Sequence, residues 1–188
     1  PLHNGHIYHI EKARELTEAD SIAAVMSGSF TQRGEPAVMD KWTRAKLAVI
    51  NGIDLVFELP FLYACAPAQI FAAGSVDILV RSGATHMCFG SENGDIAVLR
   101  EAAWEMADRE TEIAPLRRKI MKEGFSFAKA NQLAVEKVSG RRTADMMTSP
   151  NDILALEYLK RIYFWEKQGR HIEAVTVKRS GSGYYDAD

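Results

Sequence analysis

The chain has 188 residues, enough for one sizeable hydrophobic core, and its 47% hydrophobic and 26% charged residues are ordinary for a globular domain. Lys and Arg total 23 against 25 Asp and Glu, a formal charge of −2, which excludes gripping nucleic acid over the whole surface and leaves only a local basic patch. Cys65 and Cys88 stand far apart and outside any C-x-x-C spacing, which excludes a disulfide framework or zinc site and fits buried thiols in a reducing, cytoplasmic setting.

In chain order, Ile7, Ile10, Ala13 and Leu16 recur at helical spacing, so residues 5–18 read as a helix opened by Asn4 and Gly5. The apolar run 22–26, closed by Ser27 and Gly28, suits a buried strand. Asp40 reads as an N-cap for a helix carrying Trp42, Ala45, Leu47, Ala48 and Ile50, with Gly52 as its stop. Residues 55–59 form a second strand ended by Pro60. Pro67 opens a helix that Gly83 closes, and residues 86–89 are a third strand running into Gly90 and Ser91. Strands alternating with helices of this length predict an α/β fold, a parallel sheet with helices on both faces.

From about 95 to 147 the pattern turns helical and more polar, with Pro115, Gly124 and Gly140 as breaks, and reads as an inserted helical region. Ser149 and Pro150 start a strong helix that stops near Gly169, and residues 172–178 alternate like a last strand delivering Arg179. No apolar run approaches the length of a membrane span, so no membrane association is expected. Both ends read as cut: a phosphate-binding helix at residue 5 needs a preceding strand to aim it, and 181–188 stop mid-loop.

The chemistry-bearing residues fall just past strand ends. In His3-Asn4-Gly5-His6 the glycine admits a phosphate close to the backbone, and the helix N-terminus offers unpaired amides to an anion. Two imidazoles three residues apart share one helical face and can stabilise charge on departing pyrophosphate. With His9 they also invite a metal, but no carboxylate completes a recognised pattern, so none is expected. Residues 27–36 leave a strand end as a loop of small residues carrying Gln32, Arg33 and Glu35, as an anion-binding or substrate-closing loop requires. Lys41 and Arg44 follow near the same edge, where they meet a phosphate or form a solvated face. Gly90 suits close approach of an adenine or ribose. Asn151 either reads an adenine edge or helps cap its helix, and Arg179 either meets a phosphate or is a plain exposed arginine. Between 117 and 142 lie Arg117, Arg118, Lys119, Lys122, Lys129, Lys137, Arg141 and Arg142 against Glu123 and Glu136, a local excess of six positive charges. That segregation suits a phosphate backbone, or else a solvated helical face.

The stretch from Pro1 to His6 with Tyr8 and His9 resembles the tRNA(Met) cytidine acetate ligases, as do Met26-Ser27-Gly28, residues 32–37 (Gln-Arg-Gly-Glu-Pro-Ala) and Lys41-Trp42. So do Asp54-Leu55-Val56, Glu58-Leu59-Pro60, Phe71-Ala72, Gly74-Ser75-Val76 and Phe89-Gly90-Ser91-Glu92. The resemblance runs through the chain and is densest before residue 95. It implies a Rossmann-like nucleotidyltransferase fold of the HUP type. It also implies an enzyme that forms acetyl-adenylate from ATP and acetate, then acetylates the N4 amine of the wobble cytidine in elongator tRNA(Met). Mg2+ is expected with the ATP; acetyl-CoA and a protein partner are not. The positions matching the ATP site are His3, Asn4, Gly5, His6, His9, Gly90, Asn151 and Arg179, with His3 and His6 catalytic. Family members have an apolar strand before the proline and continue well beyond residue 188, so an N-terminal strand and a C-terminal region are expected outside this chain. Two rival readings are a small-molecule adenylyltransferase sharing H-x-G-H and a catalytically inactive nucleotide- or RNA-binding module.

Overall fold

The computed structural model describes residues 2–179; Pro1 and residues 180–188, including Ser180 and Gly181 after the last strand, lie outside the described residues. Helix α1, Asn4–Thr17, precedes β1, Ala23–Ser27; α2, Lys41–Ile50, precedes β2, Leu55–Leu59. A one-turn helix α3, Phe61–Ala64, and then α4, Ala68–Ser82, lead to β3, His86–Ser91. Four helices follow: α5, Ile96–Asp108; α6, Glu110–Lys122; α7, Phe127–Ser139; and α8, Arg141–Asp145. A 3-10 turn, Met146–Thr148, then α9, Pro150–Lys167, and β4, Glu173–Lys178, complete the order.

Local chemistry sets these boundaries. Asp40 Oδ1 accepts from the amides of Trp42 and Thr43, as an N-cap carboxylate should. Gly83 ends α4 in the left-handed conformation, with its amide and that of Ala84 returning to the carbonyls of Val80 and Leu79. The short α3 is absent from the sequence pattern; it packs on α4 because Gly74 leaves room for the Tyr63 ring, whose carbons stand 2.6 Å from where a Cβ would be. Pro115, expected as a break, lies inside α6. The carbonyl it deprives of a partner belongs to Thr111, an exposed residue in the first turn, where solvent can take the place of the missing amide and the helix continues.

The α/β architecture and parallel pairing appear as expected, but the strands form two separate pairs. β1 runs parallel to β2, from Ala23 opposite Leu55 to Ser27 opposite Leu59. β3 runs parallel to β4, from His86 opposite Glu173 to Ser91 opposite Lys178. Among the described residues no strand lies between β1 and β3. A cavity of about 850 Å³ separates the pairs, lined by Ala23 to Met26 on one side and His86 to Gly90 on the other.

The main core sits on the β3–β4 side. Leu156, Leu159 and Ile162 of α9 pack with Val76 and Leu79 of α4, Leu99 and Met106 of α5, and Phe89 of β3. Ile113 and Ile120 of α6 and Ala134 and Val135 of α7 extend the same core, so the helical region is continuous with the sheet's covering layer. Arg161 locks α9 to α4 by donating twice to Asp77 at 2.7 Å, where Trp165 Nε1 also donates at 2.7 Å. No helix among the described residues is long and apolar enough to cross a membrane.

Candidate nucleotide-binding site

Helix α1 begins with two histidines that cap it. His3 takes the N-cap position, where its Nδ1 accepts from the Gly5 amide at 3.1 Å. His6 Nδ1 in turn accepts weakly from the His3 amide at 3.4 Å, and the ring centroids lie 3.9 Å apart. Because each Nδ1 is an acceptor here, each neutral ring carries its hydrogen on Nε2 and can donate it outward. The first turn holds no acidic residue, so the positive end of the helix dipole stays uncompensated, as anion binding requires.

Burial, then the charges of His3 and Arg179 among its neighbours, lower the His6 pKa to about 4. The residue is nonetheless exposed, so solvent screens part of that effect. His9 is lowered too, by burial first, with the Cys88 backbone raising it and Arg179 lowering it. Both imidazoles are therefore neutral hydrogen-bond donors near pH 7. Cys88 lies on the same wall, where burial pushes its thiol up to about 11, which leaves it unreactive.

The ends of β3 and β4 bring the other expected residues to this helix. Gly90 is paired with Val177, and a Cβ there would meet Arg179 Cγ at 3.5 Å and His9 Nδ1 at 3.9 Å. Arg179 Nη1 donates to Asn151 Oδ1 at 3.3 Å. His6, His9, Gly90 and Asn151 all line the cavity between the strand pairs. His3, Gly5, His6, His9, Gly90, Asn151 and Arg179 are thus brought together, with Asn4 as the first residue of α1.

The loop after β1 is a small hairpin. Thr31 and Glu35, and Ala37 and Ser29, are joined by backbone hydrogen bonds, with Gly34 at φ 77° in the turn. Gln32, Arg33 and Glu35 form its tip. Ser27 and Gly28 lie at its root, where Arg44 donates to both carbonyls. Arg44, expected either to meet a phosphate or to lie on a solvated face, also lines the cavity. Lys41 does not stand free: its Nζ lies 2.6 Å from Glu58 at the end of β2. Gly28 is beside that carboxylate, in a space any Cβ would take from Glu58.

The basic segment is divided. Arg117 is internal, 12% exposed, and donates to Glu110 at 2.7 Å and Asn131 at 2.9 Å, joining α6 to α7. Arg118, Lys119 and Lys122 are exposed on α6. Arg141 is exposed and 3.8 Å from Asp145, while Arg142 borders a second cavity of about 630 Å³ with Glu92, Asp95, Asp145 and Asp152. Ser149, expected as a cap, makes no side-chain cap bond. Glu92 takes over, and the sequence motif that contained it gave no sign of this because its partner is 60 residues away.

Both the sequence and the fold resemble known proteins. Residues 1–188 match the family described as HIGH Nucleotidyl Transferase. A tRNA(Met) cytidine acetate ligase of Caldicellulosiruptor saccharolyticus is 48% identical over 99% of this chain and 45% of its own length. One from Clostridium botulinum is 40% identical over 99% of this chain and 46% of its own length. A crystal structure of Thermotoga maritima TmcAL bound with alpha-thio ATP superposes with a TM-score of 0.85 at 40% identity, covering 96% of this chain and 44% of that one. The chain spans about half the length of the curated relatives it matches.

Proposed function

The chain belongs to the HIGH nucleotidyl transferase family, and from that premise we propose that it is the ATP-binding part of a tRNA(Met) cytidine acetate ligase. One observation carries the reading: His6 and His9 of α1, Gly90 and Asn151 line one cavity, with Arg179 hydrogen-bonded to Asn151 and beside Gly90. Relatives named for this activity, and a similar structure that holds an ATP analogue, support it.

In this reading the ATP phosphates lie at the start of α1, with the Nε2–H groups of His3 and His6 and the Arg179 guanidinium as donors, because the amides of Gly5, His6 and Ile7, expected to be unpaired, already have acceptors. Mg2+ would enter with the ATP phosphates rather than on a cluster of protein carboxylates, and would supply further positive charge to the leaving group. An acetate oxygen bonds to the α-phosphorus as the bond to pyrophosphate breaks, and the donors stabilise charge on the leaving group. The N4 amine of the wobble cytidine in elongator tRNA(Met) then bonds to the acetyl carbon of the adenylate. AMP leaves and the amine loses a proton. The hairpin carrying Gln32, Arg33 and Glu35, rooted at Ser27, Gly28 and Lys41, closes over the acetate end. Arg118, Lys119, Lys122 and Arg141 face the tRNA backbone. The reaction runs in the cytoplasm and without acetyl-CoA.

Incubating the full-length protein with ATP, labelled acetate and bulk tRNA tests the proposal. Label should enter tRNA, and acetate should drive exchange of pyrophosphate into ATP before tRNA is added. Acetylation sustained by acetyl-CoA alone would overturn the assignment.

A further inference from the structure

We infer that Glu92 is a positioning residue of the nucleotide site, orienting the Asn151 amide and through it the Arg179 guanidinium. The inference rests on the ATP reading above. Glu92 follows directly on β3, and its side chain reaches the start of α9. Its Oε1 accepts from Asn151 Nδ2 at 2.6 Å, and its Oε2 accepts from the Asp152 amide at 3.0 Å. The return contacts come from Asp152, whose Oδ1 accepts from the amides of Glu92 at 2.9 Å and Asn93 at 3.1 Å. The end of β3 and the start of α9 are clasped from both sides.

The chemistry of an amide makes this clasp directional. Asn151 has a donor end and an acceptor end, and a carboxylate can only accept. Glu92 therefore holds the NH2 toward itself, which turns Oδ1 toward Arg179, where it accepts from Nη1 at 3.3 Å. The flipped amide would set oxygen against carboxylate and NH2 against guanidinium, two repulsive contacts in place of two favourable ones. Arg179 is exposed and carries many rotamers, so the oriented oxygen limits the ordering that nucleotide binding would otherwise require. Glu92 does this without standing among the residues that meet the phosphates.

If the clasp served only to cap α9, Glu92 would affect stability and leave nucleotide affinity alone. A double-mutant cycle on the full-length protein separates the two, with the Kd for ATP measured by titration calorimetry below each variant's Tm and without acetate or tRNA. Glu92→Gln keeps the shape but presents NH2 to one of the two donors, and should raise the ATP Kd about tenfold. Asn151→Ala should do about the same, and the double variant should match Asn151→Ala rather than the product of the two effects. Glu92→Asp keeps the charge but withdraws it by one methylene; it is expected to lose affinity in the same direction and serves if Glu92→Gln does not fold. A Glu92 variant within about twofold of wild type, or effects that multiply in the double variant, would overturn the inference. Failure of the wild-type protein itself to bind ATP would instead remove the reading on which the inference stands.

Discussion

The His3 imidazole lies over Gly5: its Nδ1 accepts the Gly5 amide at 3.1 Å, and a Cβ on residue 5 would stand 3.0 Å from His3 Cε1. The glycine thus makes room for the ring that caps α1, in addition to any approach by a phosphate. Gly5→Ala should push that ring aside and weaken ATP binding about tenfold, the scale of losing one charge-assisted hydrogen bond. Alanine is the better helix former, so the Tm should barely fall. Calorimetric titration and thermal melts check both; a large drop in Tm at unchanged affinity would contradict this account.

His6 should titrate below the usual 6.5 in the free protein, for the burial and neighbouring charges already described. Phosphates at the start of α1 would reverse that environment and raise its pKa. Histidine ring resonances followed by NMR against pH should shift upward on adding ATP. The stability link has a definite sign. The folded pKa lies below the usual 6.5, so the contribution is full above about 6.5 and is lost as pH falls toward about 4. A His6 midpoint that ignores ATP would place the phosphates elsewhere.

Among the described residues a Cβ at Gly90 meets nothing closer than 3.5 Å. Gly90→Ala should therefore fold with an unchanged Tm. Its ATP Kd should nevertheless rise about tenfold or more, because one methyl group in a close ligand contact costs on the order of 1–3 kcal/mol. Unchanged affinity would mean that neither adenine nor ribose approaches this backbone.

Asp77 is the acceptor for Arg161 and Trp165 between α4 and α9. Burial alone would raise its pKa, but the hydrogen bonds from Arg161 and Trp165 prevail and hold it below the ordinary 3.8. Asp77→Asn should cost about 2 kcal/mol at pH 7, as for a charged hydrogen-bonded group losing its partner. A depressed carboxylate stabilises above its unfolded pKa, so the gap between wild type and variant should close as pH falls below about 4. Urea midpoints at pH 7 and pH 3.5 measure it.

Arg118 and Arg141 are exposed, whereas Arg117 is committed to Glu110 and Asn131. In the full-length protein, Arg118→Glu with Arg141→Glu should weaken tRNA binding and flatten its dependence on salt, while pyrophosphate exchange persists. Arg117→Glu should mainly lower the Tm. If the double reversal leaves both tRNA affinity and salt slope in place, these arginines are only a solvated face.

Much of this was legible in the sequence because it is local. The caps at Asp40 and Gly83, the strand run ending at Leu59, and the His3-to-His6 helix start all depend on residues a few positions apart, whereas the third strand, expected to end at Phe89, continues to Ser91 because Gly90 and Ser91 pair with β4. Gly90, Asn151 and Arg179 could be placed at strand and helix ends, which is why their convergence could be anticipated. The clasp between Glu92 and Asp152 could not, since neither residue's neighbours reveal a partner 60 positions away. Arg117 misled for the same reason: charge counted along the chain does not tell a guanidinium turned inward onto Asn131 from one facing water. The division of the strands into two pairs was equally invisible, because each strand's apolar run is compatible with either arrangement.

That division has a mechanical consequence. Among the described residues no backbone hydrogen bonds join the β1–β2 plate to the β3–β4 plate, so packing such as that of α4 against β1 and β2 sets how the two sit together. The hairpin root and Arg44 ride on one plate; Gly90, Asn151 and Arg179 ride on the other. Whatever stiffens the seam between the plates therefore sets the jaw width with which the two sides meet a ligand, and amide hydrogen exchange along the facing edges of β1 and β3 would register that stiffness directly.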